Sequence, residues 1–245
     1  MRVPHLFLPP EQFSSSTATI LGQDHTHLSK VLRTRIGSSV VLLDNLGNAY
    51  ACKLESIDRH SSTASILSLI NFDTEPRIGV IVVQAIGKGS KFEEVIQHGT
   101  GLGASQFWPI TSDYCQVDMS DTNVVKKLER WRHLVKSAAE QSHRMYIPLV
   151  AEPMSFDALI ASLTAERHTV LMLHPRPELP MLQTFVRGTS GPKLIVIIGP
   201  EGGWSEREVQ LAHDTGVNAV QMGSRVLRTE TAGLAAISII LALRE

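Results

Sequence analysis

The apolar, β-branched run Leu194-Ile195-Val196-Ile197 passes directly into Ile198-Gly199-Pro200-Glu201-Gly202-Gly203-Trp204-Ser205-Glu206-Arg207-Glu208. A short run of this kind predicts a strand buried on both faces. The glycines that follow let the backbone turn sharply and approach a ligand closely, because no Cβ stands in the way. Ser205 with Glu208 three residues on has the form of a capping box, so a helix is predicted to begin there. Strand, glycine turn and capped helix together demand an α/β arrangement, and such turns are where these folds place small-molecule sites. The turn carries a carboxylate and no Lys, which argues against a phosphate and for a ligand that is not anionic.

The same strand–helix rhythm runs from Arg77 onward and favours a mainly parallel sheet. Strands are predicted at 78–86, 106–110, 168–173, 194–199 and 218–222, with a weaker one near 147–151. Helices are predicted at 91–102, 123–142, 155–164, 205–215 and 230–243. Residues 1–72 read differently. Strands at 39–43 and 50–54 flank the turn-rich Asp44-Asn45-Leu46-Gly47-Asn48, a third strand is predicted at 63–70, and Leu28, Val31 and Leu32 have helical spacing within 24–35. A polar, Pro-containing segment at 71–77 separates the two rhythms. Two domains are therefore expected: a small barrel-like module at 1–72 and an α/β domain at 73–245.

A formal net charge of −1 excludes a uniformly basic nucleic-acid binder but leaves room for a local basic patch. Cys52 and Cys115 form neither a disulfide framework nor a zinc spacing, as expected of a reducing cytosol. The N-terminus lacks the apolar core of a signal peptide, and the longest apolar tract, 232–243, is too short to span a bilayer. A cytoplasmic protein without a membrane partner is expected. His25-Thr26-His27 has no supporting metal-ligand spacing, so no metal is expected.

Gly99-Thr100-Gly101-Leu102-Gly103 resembles a dinucleotide fingerprint only superficially, because it closes a helix instead of opening one. Gly87-Lys88-Gly89-Ser90-Lys91 does join a strand to a helix; it reads equally as an anion site or as a solvated lysine loop. In the 123–142 helix, Val124, Leu128, Trp131, Val135 and Ala138 form a core stripe. Lys126 with Arg130, and Arg132 with Lys136, place like charges four residues apart on its other side. A polyanion against that side explains them, with Gln141 and Arg144 beyond; a solvated face is the alternative. After Met222-Gly223-Ser224-Arg225-Val226-Leu227-Arg228-Thr229-Glu230-Thr231, the helix from Ala232 to Leu243 is apolar nearly all round. Either a second subunit covers one side, making a homodimer, or the helix is wholly buried in a monomer.

Taken together, these segments resemble the bacterial ribosomal small subunit methyltransferase E family, which belongs to the SPOUT class and methylates N3 of a uridine in 16S ribosomal RNA. The resemblance runs nearly end to end. It takes in His27-Leu28, Val31-Leu32-Arg33, Lys88-Gly89-Ser90-Lys91, Glu140-Gln141-Ser142-His143-Arg144 and Leu173-His174-Pro175-Arg176. It continues through the 198–203 turn and Gly223-Ser224-Arg225-Val226-Leu227-Arg228-Thr229-Glu230-Thr231. Gly101 stands where the family usually has Glu, and His143 where it usually has a small residue.

The resemblance implies a C-terminal domain with a deep trefoil knot, a homodimer, an N-terminal RNA-binding barrel related to PUA domains, and S-adenosyl-L-methionine held by three loops. Carried onto this sequence, the cofactor site comprises Leu173, His174, Ile198, Gly199, Pro200, Glu201, Gly202, Gly203, Met222, Gly223, Val226, Leu227 and Thr231. Glu201, Arg225 and Arg228 are the candidate catalytic residues. Arg225 or Arg228 would stabilise a uridinate, and Glu201 would either accept the N3 proton or pin its loop. Arg33, Lys88, Lys91, Arg130, Gln141 and Arg144 are the expected RNA contacts, with 16S RNA or the small subunit as partner. Two rivals are a nucleotide-dependent kinase or dehydrogenase built on Gly87-Lys88-Gly89, and a non-catalytic RNA-binding assembly factor.

Overall fold

The computed structural model describes residues 3–71, 73–115, 121–163 and 169–244. The chain forms two compact units, Met1–Glu75 with Ala139–Ile147, and Pro76–Ala138 with Pro148–Glu245.

The first unit contains β1 (His5–Phe7), β2 (Thr17–Leu21), a short α1 (Gly22–Thr26) running into a π-turn over His27–Val31, β3 (Ser39–Leu43), β4 (Ala49–Ile57) and β5 (Ser61–Ile70). The strands form one sheet in the order β1-β3-β4-β5-β2, antiparallel except for the β1–β3 pair. The period-2 alternation of a sheet puts Ala18 and Ile20 of β2 inward with Leu6, Val40, Leu42 and Leu54. The expected helix over 24–35 is cut short. Leu28 is buried, but the π-turn carries an extra residue and rotates Val31 and Leu32 into solvent.

The segment 139–147, expected with the second domain, packs with this unit. Ala139 and Met145 are buried against Phe7, Val41 and Leu43, and the Phe7 amide donates to Glu140 Oε1 at 3.0 Å.

The second unit runs β6 (Gly79–Ala85), α2 (Lys91–Leu102), β7 (Gln106–Thr111), α3 (Asp121–Gln141, whose last turn belongs to the first unit), β8 (Leu149–Val150), β9 (Met154–Ser155) and α4 (Phe156–Leu163). It continues with β10 (Thr169–Leu173), α5 (Leu182–Gly188), β11 (Lys193–Ile198), α6 (Glu206–Asp214), β12 (Asn218–Val220) and α7 (Thr229–Arg244). Its sheet is parallel in the order β12-β10-β11-β6-β7-β8, with β9 also pairing with β7. Ile195 and Ile197 of β11 and Ile81 and Val83 of β6 pack with Phe156, Leu159 and Ile160 of α4. Their alternates Leu194, Val196, Val80 and Val82 are also buried, and α7 packs on β6 and β11. Burial on both faces is why these strands read as unbroken apolar runs.

Gly103 closes α2 in the left-handed region, its amide donating to the Gly99 and Thr100 carbonyls, so the glycine cluster is a helix cap as predicted. Of the two alternatives for this helix, whole burial within one chain is the one the structure does not bear out. Ala236, Ile237, Ile240 and Leu241 are buried, whereas Ser238 and Ala242 are exposed and Leu234, Ile239 and Leu243 are half-buried.

Candidate functional site

Strands β12, β10 and β11 are parallel neighbours, so the loops leaving their C-terminal ends open on one edge of the sheet. Those loops enclose a cavity of about 510 Å³. Leu173, His174 and Pro175 line it from β10, residues 198–204 from β11, and Val220, Gln221, Met222, Gly223 and residues 225–229 from β12, with Lys91 and Ala232 completing the wall.

Long-range hydrogen bonds hold the loops in register. The indole Nε1 of Trp204 donates to the Leu173 carbonyl at 3.0 Å, tying the β11 loop to the end of β10. A Cβ on Gly199 would stand 2.9 Å from that indole, so the backbone can pass there only as glycine. The Thr229 hydroxyl donates to the Gly199 carbonyl and accepts from Nε2 of buried Gln84 at 2.7 Å, so the start of α7, the turn after β11 and strand β6 are joined. The predicted capping box at Ser205 and Glu208 is present. Glu208 is fully buried and also accepts the Asp113 amide at 3.0 Å. Arg207 bridges Asp113 at 2.8 Å and Asp157 at 2.6 Å and holds both carboxyls below their usual range, Asp113 with help from the Ser205 hydroxyl.

Glu201 lies on the cavity wall with its Oε1 2.6 Å from the Lys91 ammonium. A Cβ on Gly87 would come within 2.7 Å of that carboxylate, so the Gly87-Lys88-Gly89 turn closes tightly around it. Partial burial pulls the Glu201 pKa up, but Lys91 and the backbone amides of Glu201 and Lys88 outweigh that and hold it below its ordinary value. A carboxylate so engaged is a weak base, which favours the loop-pinning role. With Lys91 committed to Glu201, the lysine turn is not the open anion cradle a nucleotide phosphate needs. His174 is kept neutral near pH 7, its pKa lowered by burial and then by Arg176 against an opposing pull from Glu178. Its Nδ1 is buried without a partner among the described residues.

The predicted residues Leu173, His174, Ile198, Gly199, Pro200, Glu201, Gly202, Gly203, Met222, Gly223, Val226 and Leu227 all line this cavity, as do Arg225 and Arg228. Thr231 is exposed and does not line the cavity; α7 begins at Thr229, and helical phase turns Thr229 and Ala232 to it. Trp204, Gln221 and Thr229 were missed on the wall and Gln84 behind it. An apolar ring beside a glycine turn was the one available signal, for Trp204.

The expected RNA contacts fall in both units. Lys88 is exposed, Lys91 is paired with Glu201, and Arg130 is exposed with an ion pair to Glu93 at 2.6 Å. Arg33 and Gln141, in the first unit, are exposed. Arg144 is 4% exposed and its guanidinium clamps Glu75 at 2.6 Å, which stabilises the fold. Among the described residues no His, Cys, Asp or Glu cluster is placed to hold a metal ion, and buried His25 bonds Ser62 at 2.8 Å. No helix among the described residues is long and apolar enough to cross a membrane.

The family model described as an RNA methyltransferase domain matches residues 74–241, and one described as an RNA methyltransferase PUA domain matches residues 21–67. The ribosomal RNA small subunit methyltransferase E of Synechocystis is 34% identical over 98% of this chain and 78% of its own. That of Bacillus subtilis is 33% identical over 91% and 89%. The solved structure of the Neisseria gonorrhoeae enzyme of that name, bound to S-adenosyl methionine, superposes with a TM-score of 0.88 at 32% identity, covering 99% of this chain and 98% of that one. A Legionella pneumophila putative methyltransferase in complex with the cofactor reaches 0.91 at 28% identity, with coverage of 99% and 98%. The chain belongs to the ribosomal RNA small subunit methyltransferase E family.

Proposed function

We propose that the protein methylates N3 of a uridine in 16S ribosomal RNA with S-adenosyl-L-methionine as donor. The observation that carries this reading is the cavity built by three neighbouring strand-end loops, with apolar walls at Leu173, Ile198, Met222 and Leu227 and one unpartnered buried imidazole nitrogen on His174. Such a lining suits a sulfonium cofactor with an adenine. Loop backbone and apolar side chains enclose it, His174 Nδ1 offers a buried polar contact, and Glu201 adds negative potential without phosphate-type amide charge. When bound, the cofactor supplies an electrophilic methyl group.

The chain's own residues do the rest. N3 of uracil is protonated at neutral pH; its proton passes to solvent water as the methyl group is taken from the sulfonium, which leaves as S-adenosylhomocysteine, and the loss of the proton leaves charge shared over O2 and O4. Arg225 and Arg228 line the cavity and are exposed, so their guanidinium groups can hold that developing charge. Glu201, held by Lys91, orients the turn and positions the reacting atoms. The base has to be unpaired or turned out of its stack to present its Watson–Crick edge.

The same reading includes a PUA-like barrel at 1–72 that binds RNA through Arg33, a trefoil knot in the 73–245 domain, and phosphate contacts by Lys88, Arg130 and Gln141, with Lys91 holding Glu201 instead. A homodimer is part of it. The half-buried Leu234, Ile239 and Leu243 of α7 and Val226, 81% exposed, are apolar surface that a second copy can cover.

The test is nucleoside mass spectrometry of 16S RNA from cells lacking the protein, before and after incubation with purified protein and donor. N3-methyluridine that is missing and then restored at one position supports the reading. Binding of RNA without any methyl transfer replaces it with the assembly-factor alternative.

A further inference from the structure

Beside the cofactor cavity lies a second open cleft of about 600 Å³, lined by Lys88, Lys91, Asp113, Tyr114, Glu201 and Gly202. Lys91, Glu201 and Gly202 also line the first cavity, so the two share a wall. Resting on the methyltransferase reading above, we propose that this cleft is the subsite for the single target nucleotide, with Tyr114 as the stacking platform for its unpaired base and Lys88 as its phosphate contact.

Tyr114 is 52% exposed, and its hydroxyl has no hydrogen-bond partner among the described residues. An exposed tyrosine is ordinary; one on so fixed a backbone is not. Ser112 and Cys115 close a turn around it, the Cys115 amide donating to the Ser112 carbonyl at 3.0 Å. Its neighbour Asp113 donates its amide to buried Glu208, accepts from the Ser205 hydroxyl and is clamped by Arg207. On the other side the Tyr114 Cβ packs against the Gly202 backbone, where a Cβ on residue 202 would be 3.0 Å away. The ring is thus presented with little freedom to lose when a base stacks on it, the condition under which an aromatic contributes most.

The charges in the cleft point to a nucleotide instead of a free base or a cation. Both carboxylates are engaged, Asp113 by Arg207 and Glu201 by Lys91, while Lys88 is exposed with no ion pair among the described residues. What remains is one flat apolar face and one free ammonium. The shared wall puts the edge of a stacked base toward the cofactor cavity, where the methyl group has to be delivered.

The experiment uses the full-length protein, labelled S-adenosylmethionine, and 16S RNA and small subunits from cells lacking the protein. Tyr114→Ala should lower kcat/KM for RNA by about 10- to 100-fold, the range expected for loss of one base–aromatic stack, while Tyr114→Phe stays within about twofold. The dissociation constant of S-adenosylmethionine, measured by calorimetry, should be unchanged in both variants, which also reports that they are folded. Unaltered RNA kinetics in Tyr114→Ala, with active wild type, overturns the subsite alone. Loss of cofactor affinity matching the loss in RNA kinetics assigns the ring to the cofactor site and also overturns it. A wild-type protein that binds cofactor yet methylates neither substrate overturns the methyltransferase reading and the subsite with it.

Discussion

Replacing Thr229 by Val tests whether the relay from Gln84 through Thr229 to the Gly199 carbonyl supports the cofactor loop. The side chains have nearly the same shape, so the change removes a hydroxyl and little else. Gln84 is 1% exposed, and its Nε2 has Thr229 Oγ1 as acceptor at 2.7 Å. Without that acceptor a buried amide is left unsatisfied, at a cost of about 1–3 kcal/mol, and the lost bond to the Gly199 carbonyl adds about 0.5–1.5 kcal/mol. The expected loss is therefore about 2–4 kcal/mol, or a Tm lowered by about 5–15 °C for a chain of this size. Gln84→Leu should be milder, about 0–1 kcal/mol, because Thr229 keeps its bond to Gly199 and an Oε1 that has no partner among the described residues is removed as well.

The double variant Gln84→Leu/Thr229→Val carries the decisive sign. It removes both partners, so no buried amide is stranded, and it should melt above Thr229→Val alone. The assay is thermal unfolding by circular dichroism, with calorimetry of S-adenosylmethionine on the same four proteins; cofactor affinity should follow the same rank order. A double variant that loses the plain sum of the two single losses, or more, would refute the reasoning, since the residues would then contribute independently.

Glu208 predicts a comparable loss: Glu208→Leu strands the Ser205 and Asp113 amides in the interior and should cost about 2–4 kcal/mol, while Glu208→Gln, keeping one acceptor oxygen, costs less in the same melts. The folded pKa of His174 is depressed, so its contribution is full above the unfolded value of about 6.5 and declines as pH falls from there toward the lower folded value. Cofactor affinity should fall only as pH drops through the lowered folded value, where the imidazole of the folded protein takes up its proton, and His174→Asn should flatten the profile in calorimetry between pH 8 and 5. Burial pushes the Cys52 thiol up to about 11, so a thiol reagent at pH 8 should label Cys115 readily and Cys52 only after denaturation, as read by mass spectrometry. Removing the Lys88 and Arg130 charges together should reduce the salt slope of RNA binding by about 0.7–0.9 for each phosphate no longer neutralised, in filter-binding titrations; an unchanged slope would remove them from the interface.

What the sequence revealed and what it hid divide along one physical line. The ends of α2 were legible to the residue, because Gly103 leaves the helix by a local left-handed turn and the lysine turn precedes it. The Ser205 cap was legible for the same reason, since donor and acceptor lie three residues apart. Two of the loops lining the cavity were legible as glycine-bearing exits from strands, Gly199 to Gly203 after β11 and Gly223 after β12, whereas the β10 loop, His174-Pro175-Arg176, carries no glycine and was reached only through the family resemblance. The seven-residue α5 was not, having neither a side-chain cap nor a long periodic stripe, and three-residue β1 was too short to alternate visibly.

Partners hid more than elements did. Arg144 looks like a polyanion contact when charges are counted along a helix, but its partner Glu75 lies 69 residues upstream. Thr229 and Gln84 are 145 residues apart, and Asp113 and Arg207 are 94 apart. No window along the chain joins them. The side chains offered to ligand belong to local turns, whereas the groups that hold those turns still are distant polar residues, buried or clamped by charge. A change at Gln84 or Glu208 is therefore expected to act on the reaction without touching either substrate, and the order in which stability and cofactor affinity fall should separate these holding groups from the cavity wall.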